Sequence, residues 1–164
     1  MNVNMRFLCR FLAAAVFSLS FLPAYGASGE FVYFFPGEKR ASIVIDLGRS
    51  EISVGHRGMV ATFTIDAKAD SMESAALTFS ISKELGLQDR WQFKSVDHRR
   101  IGEEIIVLGG RKVAVDRIDI SNEKIKTVLY SRRLGVVAFE VFDGQKNQRI
   151  YLKGHCGLFG WRCD

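Results

Sequence analysis

Residues Glu103–Ile120 read EEIIVLGGRKVAVDRIDI, and this stretch decides the fold. Two apolar segments of strand length flank Gly109-Gly110. A Gly-Gly pair between runs of β-branched residues predicts a two-residue hairpin turn, because both central residues need positive φ. The returning segment places Val113 and Val115 in one phase and Ile118 and Ile120 in the other. Side chains alternate faces along a strand, so this slip predicts a bulge near Asp116-Arg117.

The same texture continues downstream. Ser121-Asn122-Glu123 turns into Lys124–Ser131, Arg132-Arg133-Leu134-Gly135 into Val136–Phe142, and Asp143–Asn147 into Gln148–Lys153. Upstream, Asp89–Val96 puts Trp91 and Phe93 on one face. Ala75–Ser82 sets Leu77, Phe79 and Ile81 against Thr78, Ser80 and Ser82, the pattern of a strand with one wet side. Gly58–Ala67 carries Phe63 and Ile65 inward. Glu51–Val54, Ala41–Leu47 and Glu30–Phe35 supply earlier strands, the first of them ended by Pro36-Gly37. Asp70–Ala76 and Ser82–Asp89 are candidates for short helical turns, the former because Asp70 and Ser71 can cap. Adjacent short strands with tight turns favour antiparallel pairing. The expected fold is all-β: an antiparallel meander forming a curved sheet, half-barrel or small barrel, with a β-sandwich as the alternative.

The N-terminus carries the order of a secretory signal. Arg6 and Arg10 precede the uncharged run Phe11–Leu22, then Pro23 and the small residues of Ala24-Tyr25-Gly26. A membrane-spanning helix needs roughly 18 or more apolar residues, and this run is shorter. The expected organisation is a signal peptide over 1–26, one β domain over 27–153 and a tail over 154–164. Cleavage leaves no transmembrane segment and a periplasmic protein, with secretion as the alternative. The whole chain has a net charge of +5, of which Arg6 and Arg10 leave with the signal. The remainder is mildly basic, which with export argues against nucleic acid as a partner.

Cys156 and Cys163 remain after cleavage. An even count in an exported chain predicts a disulfide, here closing a short loop around Leu158, Phe159 and Trp161. The rival is zinc on these cysteines and His155. It lacks a paired Cys-x-x-Cys, so the expectation is no metal and no cofactor.

The stretch GGRKVAVDRIDI…KTVLYSRRLGVVAFEVFDG, within 109–144, carries Tyr130, Ser131, Leu134, Gly135, Val136 and Val137 in the order YS…LGVV. In this it resembles the C-terminal half of periplasmic domains of unknown function with a curved antiparallel sheet of the lipoprotein-carrier kind. The resemblance implies an envelope location and a sheet able to hold an apolar ligand.

A catalytic set is not visible. His56, His98 and His155 are far apart, and there is no Gly-x-Ser-x-Gly and no His-Glu-x-x-His. Glu103 and Glu104 are adjacent, so they face opposite sides of a strand and cannot act as a facing acid/base pair. Asp116 and Asp119 are likewise on opposite faces unless the expected bulge intervenes.

Topology points to a binding end instead. In a meander alternate turns share one end, which gathers Arg111, Lys112, Arg132, Arg133, Lys153 and Arg162 around the loop bearing Leu158, Phe159 and Trp161. Aromatic side chains ringed by cations suit contact with a protein or an anionic component of the envelope. The competing reading folds Phe159 and Trp161 back as a plug for the open end of the barrel. The opposite end gathers Asp97-His98-Arg99-Arg100, Ser121-Asn122-Glu123 and Asp143–Asn147, a mixture of charges. The expected function is non-catalytic binding of an envelope protein or anionic component. The alternative is a carrier of lipid or another apolar ligand in a β cavity, and a hydrolase using His56 or His98 is the third.

Overall fold

The computed structural model describes residues 29–56, 58–82, 89–121, 125–142 and 144–160. Thirteen strands are described: β1 Glu30–Phe34, β2 Ile43–Asp46, β3 Glu51–His56, β4 Met59–Thr64, β5 Asp66–Ala67, β6 Ser71–Glu73, β7 Phe79–Ser80, β8 Arg90–Phe93, β9 Val96–Leu108, β10 Arg111–Ile120, β11 Ile125–Ser131, β12 Gly135–Phe142 and β13 Asn147–Leu152. Ten form one antiparallel sheet in the order β4-β3-β2-β1-β13-β12-β11-β10-β9-β8, and β5-β6-β7 form a small second sheet. The chain thus leaves the middle of the large sheet towards β4, crosses through the small sheet to β8, and returns by meander to pair β13 with β1. The sheet is curved and open, not a closed barrel or a sandwich. Among the described residues no helix is long and apolar enough to cross a membrane.

The hairpin is as the sequence predicts. Leu108 pairs with Arg111, and Gly109 and Gly110 have φ of 56° and 78°. The register of β9 and β10 shifts between Arg117 and Ile118, beside the predicted bulge. The extra residue sits on the partner strand, because Arg117 pairs with Gly102 and Ile118 with Arg100, leaving Ile101 between them. The apolar phase slip along β10 therefore has a different cause: the two halves of the strand bury opposite faces. Ile118 and Ile120 join the main core, with Tyr33, Ile43, Ile52, Met72, Phe79, Val128, Val136, Phe139 and Ile150. Val115 joins a second cluster with Ile106, Leu129, Val137 and Ala138, against which Leu108, Val113 and Tyr151 pack.

The face of the second cluster curls strongly. Arg149 on β13 donates from Nη1 to Glu104 Oε1 on β9 at 2.6 Å, four strands away. Four strand spacings in a flat sheet amount to about 19 Å, beyond the combined reach of the two side chains. Arg149 Nε also donates to Glu140 at 2.7 Å, and Arg117 reaches the same carboxylate at 3.4 Å. Burial pushes the Glu140 carboxyl up, but hydrogen bonds from Arg149 and Thr127 and the charges of Arg149 and Arg117 outweigh it, so its pKa lies below the ordinary value.

Three local expectations are corrected. Asp70–Ala76 is not a helical turn, since Ser71–Glu73 pairs with β5 and β7. Ala75–Ser82 is not a continuous strand with its serines outward. The Ser74 hydroxyl accepts the Leu77 N–H at 2.9 Å and donates to the Leu77 carbonyl at 3.0 Å, which holds a turn until Phe79. Ser80 is buried too. Asp97–Arg100 belongs to β9, and the preceding turn is Lys94-Ser95 between the paired Phe93 and Val96. The candidate turn at Ser82–Asp89 and the proposed signal over 1–26 fall on or largely within residues outside those described.

Candidate functional site

The tail docks on the turn between β11 and β12. Gly157 N–H donates to Leu134 O at 2.7 Å, and Val136 N–H to Leu158 O at 2.8 Å. Such contact needs glycine on both sides. Gly135 has φ of 81°, and a Cβ there would strike the carbonyl of Leu158. A Cβ on Gly157 would strike the carbonyl of Val136. Tyr33, fully buried, donates its hydroxyl to the Val136 carbonyl at 3.1 Å, and burial pushes its pKa up.

This docking decides where the predicted apolar contacts go. Leu158 is 0 % and Phe159 4 % exposed, and the Phe159 ring lies 5.6 Å from that of Phe79. Both are core side chains and present no surface to a partner. The loop does not project because its backbone carbonyl and N–H groups are taken up by Val136 and Leu134. Cys156 is half-buried beside them. Trp161, Arg162 and Cys163 lie outside the described residues.

The predicted cations divide. Arg132 approaches Asp116, its Nε 3.8 Å from Oδ2. Asp116 is 5 % exposed and also accepts from Arg100 Nε at 2.7 Å. This end therefore holds a buried acid that the expected cation ring lacked. Arg111, Lys112 and Arg133 are exposed, and among the described residues none of their side chains makes a hydrogen bond or ion pair.

An open cleft of about 780 Å³ lies between the tip of the β9–β10 hairpin and the β1–β13 rim. Phe34, Phe35, Pro36, Leu108, Tyr151 and Leu152 line it, with Val107 and Gly109 at its lip. Its charged lining is Glu38, Lys39 and Lys153, and the Lys153 ammonium stands 5.2 Å over the Phe34 ring. Arg111 follows the lip directly. The cleft exists because the curl brings the hairpin tip over β13 and β1, which no local pattern reveals. A signal was nonetheless present. In β1 the two alternating phases are both apolar, Phe31 and Tyr33 against Val32 and Phe34. Such a strand has two apolar faces.

The opposite end holds a second cavity, about 590 Å³, lined by Arg90, Trp91, Asp97, His98, Arg99, Asp119, Ile120 and Ser121. Two arginines and two aspartates balance there, and Arg99 already contacts Asp119 at 3.5 Å. The described lining of that cavity therefore carries no net charge.

His98 serves structure. His98 Nε2 accepts the Ser80 N–H at 3.1 Å, and Nδ1 donates to the Val96 carbonyl at 2.9 Å. Its ring stacks on Trp91, whose Nε1 donates to Ser80 Oγ at 3.1 Å. Both nitrogens are thus committed to backbone, and the ring ties the small sheet to β9. Burial pushes the His98 pKa down, against the hydrogen bond to Val96 and the charge of Asp97. His155 is exposed, and the side chain of His56 lies outside the description. No group of three or more potential metal ligands occurs among the described residues.

No protein-family model, curated protein or solved structure matches this chain.

Proposed function

We propose that this chain is an exported, non-catalytic binding protein of the cell envelope, and that it holds an anionic amphiphile in the cleft between the β9–β10 hairpin tip and the β1–β13 rim. The observation that carries the reading is the pairing of an aromatic and aliphatic floor with exposed cations at one mouth. Ligand clefts are typically of this size, mostly apolar, with a few polar groups that fix orientation. An acyl or other apolar chain lies along Phe35, Leu108 and Tyr151, and its acidic head meets Lys153, Lys39 and Arg111. The signal-like N-terminus brings the chain to the compartment where such molecules occur. The resemblance of residues 109–144 to a carrier-like curved sheet agrees with a lipid-handling role. In this reading Cys156 and Cys163 form a disulfide that locks the tail down, and Leu158 and Phe159 plug the main core.

The test is titration with a fluorescent fatty-acid analogue, with a neutral analogue of the same chain as control. The acid binds more tightly than the neutral probe. Lys39→Glu with Lys153→Glu removes that preference, and Phe35→Ser weakens both probes. Equal affinity for both probes, or binding indifferent to these changes, overturns the proposal.

A further inference from the structure

One face of the β9–β10 hairpin tip is apolar and open. Ile105 and Val107 lie two apart on β9, so they share a face, and they are 69 % and 65 % exposed. Across the hairpin they stand opposite Ala114 and Lys112, which are exposed too. The other face of the same strands is packed, through Ile106, Leu108, Val113 and Val115, and this stiffens the tip. Gly109 and Gly110 have open space around them, so the turn projects freely. The charges around the aliphatic side chains indicate what covers them. Residues 105–115 contain Arg111 and Lys112 and no acid. Arg133, on the turn between β11 and β12, adds a third exposed cation at the same end, and among the described residues none of the three side chains is ion-paired. In the adjoining cleft Lys39 and Lys153 outnumber Glu38. The acids further down the hairpin are neutralised within the chain. Glu103 and Asp116 accept from Arg100 at 2.5 and 2.7 Å, and Arg132 Nε lies 3.8 Å from Asp116. The tip therefore shows positive charge without compensation, and those acids do not repel a negative surface.

We propose that the hairpin tip docks on an anionic lipid bilayer, with Ile105 and Val107 entering the interfacial layer and Arg111, Lys112 and Arg133 lying among the headgroup phosphates. A bilayer offers apolar depth beneath diffuse negative charge and asks for no fixed pairing geometry, which is what a projecting turn with aliphatic side chains and long unpaired cations can use. A protein partner fits less well. The stripe consists of two aliphatic side chains and a methyl group, without the aromatic anchors that concentrate binding energy at protein interfaces. Val107 and Gly109 also form the lip of the cleft. Docking thus sets the mouth of the cleft against lipid, so that an amphiphile passes between bilayer and cleft without crossing water. That transfer rests on the amphiphile reading, whereas the docking rests on the tip alone.

The experiment is tryptophan quenching by vesicles of phosphatidylcholine with brominated acyl chains, prepared with and without phosphatidylglycerol. Val107→Trp puts a reporter at the tip, and Gln92→Trp puts a control at an exposed position by the far end of β9. The wild type supplies the background from Trp91 and Trp161. The reporter at position 107 is quenched by the anionic vesicles and not by the neutral ones, and the control at position 92 stays at background. With the reporter in place, Arg111→Gln together with Lys112→Gln lowers the affinity for anionic vesicles roughly thirtyfold, since each cation near such a surface contributes about fivefold. Ile105→Ser lowers it about tenfold, and circular dichroism shows each variant folded. Equal quenching at 107 and 92, quenching that needs no anionic lipid, or quenching that survives loss of both cations overturns the docking. So does an unquenched tip, including one that instead cross-links to an envelope protein through position 107. The fatty-acid titration is a separate readout: a chain that binds the acid in solution and ignores vesicles keeps the cleft and loses the docking, and the converse result keeps the docking and loses the cleft.

Discussion

Both faces of β11 and of most of β12 are buried, but by different means. One is covered by a continuous apolar core in which rings meet edge to face, Tyr33 on Phe139 at 4.8 Å and Phe79 on Phe139 at 6.1 Å. The other holds a smaller cluster, around Leu129, bordered by the ion pairs of Glu104, Arg117, Glu140 and Arg149. The first is closed by separate pieces of chain: β1–β3, the small sheet and the tail. The second is closed by the sheet curling on itself, and the curl is fastened by charge. An apolar contact rewards any burial, whereas an arginine with two carboxylates rewards one geometry. The ion pairs thus fix how far the hairpin tip leans over the rim, and with it the width of the proposed ligand cleft.

The sharpest way to break this comparison is a pair of truncations. Phe139→Ala removes the ring at the centre of the first face and should cost about 3–5 kcal/mol. Leu129→Ala removes the centre of the second and should cost about 2–3 kcal/mol, near the low end for leucine because the cluster is small. Urea unfolding measures both. If Leu129→Ala cost as much as Phe139→Ala, the second cluster would be a core of equal rank.

The tail supplies the next effect. Gly157→Ala forces a methyl group into the Val136 carbonyl and should cost about 2–3 kcal/mol by displacing Leu158 and Phe159 from the main core. Proteolysis of the native protein within 155–160 should accelerate in parallel. Unchanged protection would show that the tail contributes little to closing that face.

On the second face, Arg149→Met leaves Glu104 and Glu140 facing one another with their main partner gone. A fully buried pair loses about 3–5 kcal/mol when one member is removed. Arg149 is about a third exposed, so the expected loss is about 2 kcal/mol. Adding Glu140→Gln should recover part of it. The amphiphile affinity should fall as well, since the cleft wall is no longer held. An affinity that stays constant would separate the curl from the cleft.

The contrast between the faces also explains what the sequence revealed. Gly109-Gly110, the alternation of Ile43 with Ile45 and the meander order are set by local sterics and hydrophobic periodicity, and they are visible in the chain. The slip from Val115 to Ile118 was visible too, but its cause was not. A strand that changes its dry face and a strand that bulges leave the same mark in one sequence. The site was partly legible. Turn alternation gathers the cations Arg111, Lys112 and Lys153 near one end, whereas the apolar surface beside them is Phe34, Phe35 and Tyr151, not Leu158 and Phe159. That exchange depends on the tail entering the core and on the hairpin crossing the rim, contacts between residues far apart in the chain, as Phe79 is from Phe159. The Ala75–Ser82 alternation misled because the Ser74 hydroxyl offered the backbone a local partner.

The smallest predicted effect separates the two faces by pH. His98 sits at the main core and its folded pKa is depressed by burial. A histidine favoured as neutral in the fold contributes stability that is fully present above its unfolded value near 6.5 and is lost as pH falls through the folded pKa. Glu140 sits on the second face, and its folded pKa is depressed by Arg149, Thr127 and Arg117 against the opposing effect of burial. Its contribution is fully present above an unfolded value near 4.5 and is lost as pH falls below that. Stability should therefore fall in two stages on acidification, the first from His98 and the second from Glu140. His98→Gln should abolish the first stage and leave the second, and Glu140→Gln should reduce the second and leave the first. Urea midpoints measured from neutral to strongly acidic pH check both. If His98→Gln left the first stage intact, the neutral Nε2 that accepts the Ser80 N–H would not be the pH-sensitive tie between the small sheet and β9.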